Sequence, residues 1–107
     1  MSIDSNDREP TREEIERTEG PVLLEFGSAQ CGHCRTLAPR LEKLLEEYPD
    51  VQHIKVEDGS GKPLGRSFKV KLWPNLVFLR NGQVVQQLAR PEVDEVREGL
   101  EELSNAQ

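Results

Sequence analysis

The sequence predicts an α/β domain built on a mixed central sheet of about four strands, with helices on both faces. Three observations predict it. Val22-Leu23-Leu24-Glu25-Phe26 is an apolar run of strand length, suited to a strand buried on both faces. Leu37, Leu41, Leu44, Leu45 and Tyr48 then recur at helical spacing. With a second strand over residues 51–56, they form a strand–helix–strand unit, expected as a right-handed parallel crossover. Finally, Leu76-Val77-Phe78-Leu79, the dipeptide Asn81-Gly82 and residues 83–88 read as strand, tight turn and antiparallel strand.

The remaining elements follow in chain order. Residues 1–10 are polar and read as a flexible tail, so the folded domain is expected over residues 11–107. Thr11 and Glu14 have capping-box spacing at the start of a short helix over residues 11–18, with Ile15 as its apolar anchor and Gly20-Pro21 as its stop. The long helix starts near Cys31 and stops before Pro49, and Pro39 inside it removes one hydrogen bond and should kink it. Asp58-Gly59-Ser60-Gly61 reads as a turn and residues 62–68 as a short helix. Val93, Val96, Leu100 and Leu103 define a final amphipathic helix, with Pro91 suited to its first turn.

Composition narrows the function. A chain of 107 residues fits one domain, and 35% hydrophobic residues support one small core. Fourteen basic against twenty acidic residues give a net charge of −6, which offers no general attraction to nucleic-acid phosphates or anionic membranes. The N-terminal stretch has no apolar core of a secretory signal, and no run approaches the roughly 20 apolar residues that span a bilayer. The expectation is a cytoplasmic protein, and there a two-cysteine motif is more often redox-active or metal-binding than a structural staple.

Both cysteines fall in Cys31-Gly32-His33-Cys34, at the junction of a buried strand and a long helix. A cysteine at a helix N-terminus faces unpaired backbone N–H groups and the positive end of the helix dipole. Both favour the thiolate, which is the nucleophile. The two-residue spacer lets the second sulfur close a small disulfide, and Gly32 and His33 put no large apolar side chain in the way of an incoming substrate. The rival is zinc, which wants four ligands where only His33 and His53 could join the pair. No metal is therefore expected. His53 itself is assigned a structural or merely exposed position.

At this point the chain resembles the thioredoxin family over residues 21–103. The strand before the CxxC is similar to the family's central strand, and Pro39 matches its kink proline. The segment from Trp73-Pro74 to Asn81-Gly82 resembles the one that holds the family's cis-proline and the following hairpin. Several positions depart from the pattern. Gly32-His33 is the pair typical of protein disulfide isomerases, where most thioredoxins have Gly-Pro. Gln30 and Gly27 stand where the family has tryptophans, and Trp73 and Asn75 flank Pro74 in place of smaller residues. The family's additional N-terminal strand finds no counterpart in residues 1–10.

The resemblance implies a thioredoxin fold and a dithiol–disulfide cycle. Cys31 attacks a substrate disulfide and Cys34 resolves the mixed disulfide. Glu25 matches the family's buried acid and would move the Cys34 proton, and Lys55 matches a family lysine near that acid. An ionised carboxylate among apolar neighbours carries a large desolvation cost, which suits a proton carrier. A His33 imidazolium beside Cys31 would favour the thiolate. Thioredoxin lies at roughly −270 mV and protein disulfide isomerase at roughly −180 mV, and an intermediate potential is expected here. The backbone before Pro74, with Trp73 beside it, would pair with the substrate chain. No bound cofactor is implied beyond the Cys31–Cys34 disulfide. Electrons would come from NADPH through thioredoxin reductase, and the partners would be disulfide-containing proteins met by a monomer. The alternatives are an isomerase or oxidase, suggested by Gly32-His33, and a non-catalytic binding module on the same scaffold.

Overall fold

The computed structural model of the chain describes residues 9–105. Eight elements follow in order: α1 (Arg12–Glu16), β1 (Pro21–Gly27), α2 (Gly32–Leu45), β2 (Gln52–Glu57), α3 (Pro63–Ser67), β3 (Asn75–Arg80), β4 (Gln83–Ala89) and α4 (Val93–Asn105). Most of the residues read as a tail, and with them the question of an additional N-terminal strand, lie outside the described residues. Packing has already begun at Glu9, whose Oε2 accepts from the Leu64 N–H at 3.2 Å, and at the buried Pro10.

The strands form one sheet in the order β2-β1-β3-β4. β1 and β2 are parallel, as the crossover requires, and β3 is antiparallel to both β1 and β4. The mixed sheet with helices on both faces is the architecture the sequence predicts. Period-two alternation sorts the core into two layers. Val22, Leu24 and Phe26 face α1 and α3, where they meet Ile15, Leu64 and Phe68. Leu23, Leu76 and Phe78 face α2 and α4, where they meet Leu37, Leu41, Val96 and Leu100. Glu25, two residues beyond Leu23, therefore points to the α2 side and is 4% exposed.

Local chemistry accounts for the boundaries. Thr11 caps α1 with both halves of the capping box: its hydroxyl accepts from the Glu14 N–H at 3.0 Å, and Glu14 Oε1 accepts from the Thr11 N–H at 2.9 Å. The hairpin turns on Asn81 and Gly82, both at positive φ, as a tight primed turn demands. A side chain at Gly82 would also run into the Glu16 backbone oxygen. Pro91, expected in the first turn of the last helix, stands before it. Glu92 takes the capping place instead: its carbonyl accepts from the Val96 N–H at 3.1 Å, and its N–H donates to Glu95 Oε1 at 2.8 Å.

Candidate active site

β1 ends at Gly27 and the chain turns through Ser28, Ala29 and Gln30 into Cys31, the N-cap of α2. The cap fixes the geometry of the motif. The Cys31 N–H donates to Ser28 O at 3.0 Å, and Cys31 Sγ accepts from the Cys34 N–H at 3.2 Å. Cys31 is half-buried and Cys34 buried, both as free thiols, while Gly32 and His33 are exposed. A Cβ at Gly27 would stand 2.9 Å from Cys34 Sγ. Glycine at the end of β1 leaves the room that the inner sulfur occupies.

The two thiols are driven in opposite directions. Burial acts to raise Cys31. Hydrogen bonding from the Cys34 thiol, the backbone N–H groups of Cys34 and His33, and the charge of Arg90 together outweigh it and bring Cys31 below an ordinary thiol. Burial, the hydrogen bond to Cys31 and the negative charges of Cys31 and Glu25 push Cys34 up to about 11. His33 thus acts on Cys31 through its backbone amide. The charge of Arg90 adds to it, from a position that the motif does not reveal.

Arg90 arrives from the end of β4. Its N–H donates to Pro74 O at 2.8 Å, and its Nε donates to Trp73 O at 2.8 Å. The Trp73–Pro74 peptide bond is cis, and Cys31 Sγ lies 3.8 Å from Trp73 O. Of the backbone before Pro74 that is expected to pair with substrate, the Trp73 carbonyl is already engaged within the protein. The Trp73 indole Nε1 donates to Asp58 Oδ2 at 2.9 Å, which fixes the ring and gives the Asp58 turn a structural purpose. The buried Asn75 side chain accepts from Gln87 Nε2 at 3.0 Å.

Beneath the sulfurs, Glu25 Oε1 lies 2.7 Å from His53 Nε2. Lys55 is directly opposite Glu25 in the parallel register, but it is exposed and the carboxylate turns to His53. Of the two positions expected for His53, structural or exposed, it takes the structural one: it is half-buried and meets the Glu25 carboxylate. Glu25, Cys34 and Lys55 together line a cavity of about 360 Å³ between β1, β2 and the start of α2. Such a space is large enough to admit water to both the thiol and the carboxylate.

The chain is similar to known proteins in sequence and fold. The thioredoxin family model matches residues 3–102. Thioredoxin 2 of Pseudomonas aeruginosa PAO1, solved in its reduced form, superposes with a TM-score of 0.81 at 45% identity, covering 96% of this chain and 94% of that one. Thioredoxin H8 of Arabidopsis thaliana is 32% identical over 79 residues, or 74% of this chain and 53% of the relative. The chloroplastic F-type thioredoxin of Spinacia oleracea is 30% identical over 82 residues, or 76% of this chain and 43% of the relative. The chain thus spans about half the length of these two plant relatives. With a mixed four-stranded sheet, a CxxC at the N-terminus of α2 and a cis-proline beside it, the chain belongs to the thioredoxin family of thiol–disulfide oxidoreductases.

Proposed function

We propose that this protein is a protein-disulfide reductase that cycles Cys31 and Cys34 between dithiol and disulfide. The observation that carries the reading is the division between the thiols: the outer one lowered, the inner one raised to about 11. Cys31 thiolate attacks one sulfur of a substrate disulfide, forms a mixed disulfide and expels the other sulfur as a thiolate, which takes up a proton. Cys34 then gives its proton to Glu25 through the shared cavity and attacks Cys31. The bond to substrate breaks, the second substrate thiol leaves, and Cys31–Cys34 is the oxidised product. His53 is a positioning residue that holds the carboxylate. Gly32 and His33 keep the approach to Cys31 open.

The Trp73 N–H donates to no acceptor among the described residues, and it is offered here to a carbonyl of an extended substrate chain beside Pro74. Electrons return from NADPH through a thioredoxin reductase. The place of action is the cytoplasm, and the acting unit is a monomer. Among the described residues, no helix is long and apolar enough to cross a membrane. Insulin reduction driven by NADPH and thioredoxin reductase tests the proposal. Turnover lost in Cys31→Ser is the expected result. A reductase-dependent rate no greater than background would overturn it.

A further inference from the structure

The chain carries a net charge of −6, yet the surface beside its outer thiol is basic. A groove of about 430 Å³ runs past Pro74 between α2 and the β4–α4 connection, and its lining includes His33, Arg40, Arg90, Glu92 and Val93. Glu92 is the one acid in that lining, against two arginines and a histidine. Among the described residues, no carboxylate lies within ion-pair distance of Arg90 or Arg40.

Arg90 differs from an ordinary surface arginine in being held. Its backbone sits at φ 48°, its N–H is bonded to Pro74 O, and its Nε is bonded to Trp73 O. Its two Nη nitrogens make no hydrogen bond among the described residues, and the side chain lines the groove. A planar fork fixed at one nitrogen loses less freedom on meeting a carboxylate than a free side chain does. The same Trp73 carbonyl lies 3.8 Å from Cys31 Sγ, so this fork stands next to the point of attack.

We infer that Arg90 selects substrates whose reacting cysteine is flanked by an acidic residue, with its two outer nitrogens receiving that carboxylate while Cys31 attacks the disulfide. The inference rests on the redox reading above and adds the class of substrate. The groove's surplus of positive charge steers such a chain to the site, and a lysine-flanked cysteine meets like charge there.

The test uses the reduced full chain and three disulfide-bridged peptides that differ only in Glu, Gln or Lys beside the cysteine. Single-turnover reduction is followed at one pH and at low and high salt. The Glu peptide should react about three- to fivefold faster than the Lys peptide, the size of an exposed charge pair, and salt should compress the ratio. Arg90→Gln should bring the ratio close to one, Arg90→Lys should keep it, and Arg90→Glu should invert it. Loss of thiolate at Cys31 would slow all three peptides alike and leave the ratio unchanged. An unchanged ratio in Arg90→Gln, or equal rates in the unaltered chain, would overturn the inference and leave the reductase reading intact. Failure of the unaltered chain to reduce any of the peptides would overturn both.

Discussion

His53 Nε2 and Glu25 Oε1 lie 2.7 Å apart, across two neighbouring parallel strands, beneath the buried thiol of Cys34. A buried carboxylate with one hydrogen-bonded partner keeps a fixed orientation, and a group that takes a proton from one sulfur needs that. Glu25→Gln preserves shape and deletes the base. It should lengthen the lifetime of the mixed disulfide by tenfold or more, within the roughly 10²–10⁴-fold typical of general acid–base catalysis, while attack by Cys31 is unaffected. His53→Ala leaves the carboxylate buried without its partner and should cost about 1–3 kcal/mol of stability as well as slow resolution. Quenched-flow trapping of the mixed disulfide, with urea melts alongside, reads both. A full resolving rate in Glu25→Gln would remove Glu25 from the cycle.

The division between the thiols should appear in their labelling. Iodoacetamide at mildly acidic pH should modify Cys31 first, because its thiol is lowered while that of Cys34 is raised to about 11. Cys34→Ser should accumulate mixed disulfides with substrate, and Cys31→Ser should not. A stability slope follows from the same shift. Cys34 keeps its proton in the folded state where an unfolded cysteine, at 9.0, has lost it. Its contribution is therefore full below pH 9.0 and lost as the pH rises toward about 11. Urea melts of the reduced protein should show this decline, and Cys34→Ser should lack that part of it.

His33 separates an amide effect from an imidazole effect. His33→Pro removes the backbone N–H that supports Cys31, at a position in the first turn of α2 where proline is tolerated. The Cys31 thiol should rise, and the pair should become a stronger reductant. His33→Ala keeps the N–H and should leave Cys31 nearly where it was. Glutathione redox equilibria and the pH profile of alkylation measure the two variants. Equal effects from both would return the role to the imidazole.

Gly27→Ala tests the space under the inner sulfur. The added methyl would stand 2.9 Å from Cys34 Sγ, so the sulfur or the strand end must move. Overpacking of this kind costs about 1–3 kcal/mol. Here it should also slow resolution, because the atom displaced is the attacking one. A denaturation midpoint and mixed-disulfide lifetime equal to those of the unaltered chain would show that the pocket yields freely.

The sequence made the order of elements legible because each has a local cause: the capping box at Thr11, the apolar run before Cys31, the Asn81-Gly82 turn. The identity of the group that meets Glu25 was less legible. His53 and Lys55 are two residues apart, so period two puts both on the face of Glu25, and the pattern alone does not choose between them. Arg90 was hidden for a different reason. Counting outward from the two-residue turn pairs Pro74 with Ala89 and leaves Arg90 one place further on. A bulge intervenes: Leu79 pairs with Val84 but Phe78 with Gln86, so Val85 is an extra residue. That single insertion slides the end of β4 by one residue and brings the Arg90 N–H onto Pro74 O. A bulge has no dependable sequence signature, and everything beyond it inherits the offset.

Trp73 is the only tryptophan in the chain. Its indole is tethered to Asp58, and its carbonyl lies 3.8 Å from Cys31 Sγ. The residue whose carbonyl flanks the reacting sulfur is thus also the molecule's dominant near-ultraviolet emitter, and its ring cannot swing away without breaking that tether. Oxidation, mixed-disulfide formation or resolution that shifts the Trp73 backbone disturbs that tether, and the emission of the unlabelled protein then reports the step. The chain is its own optical probe of the chemistry at Cys31.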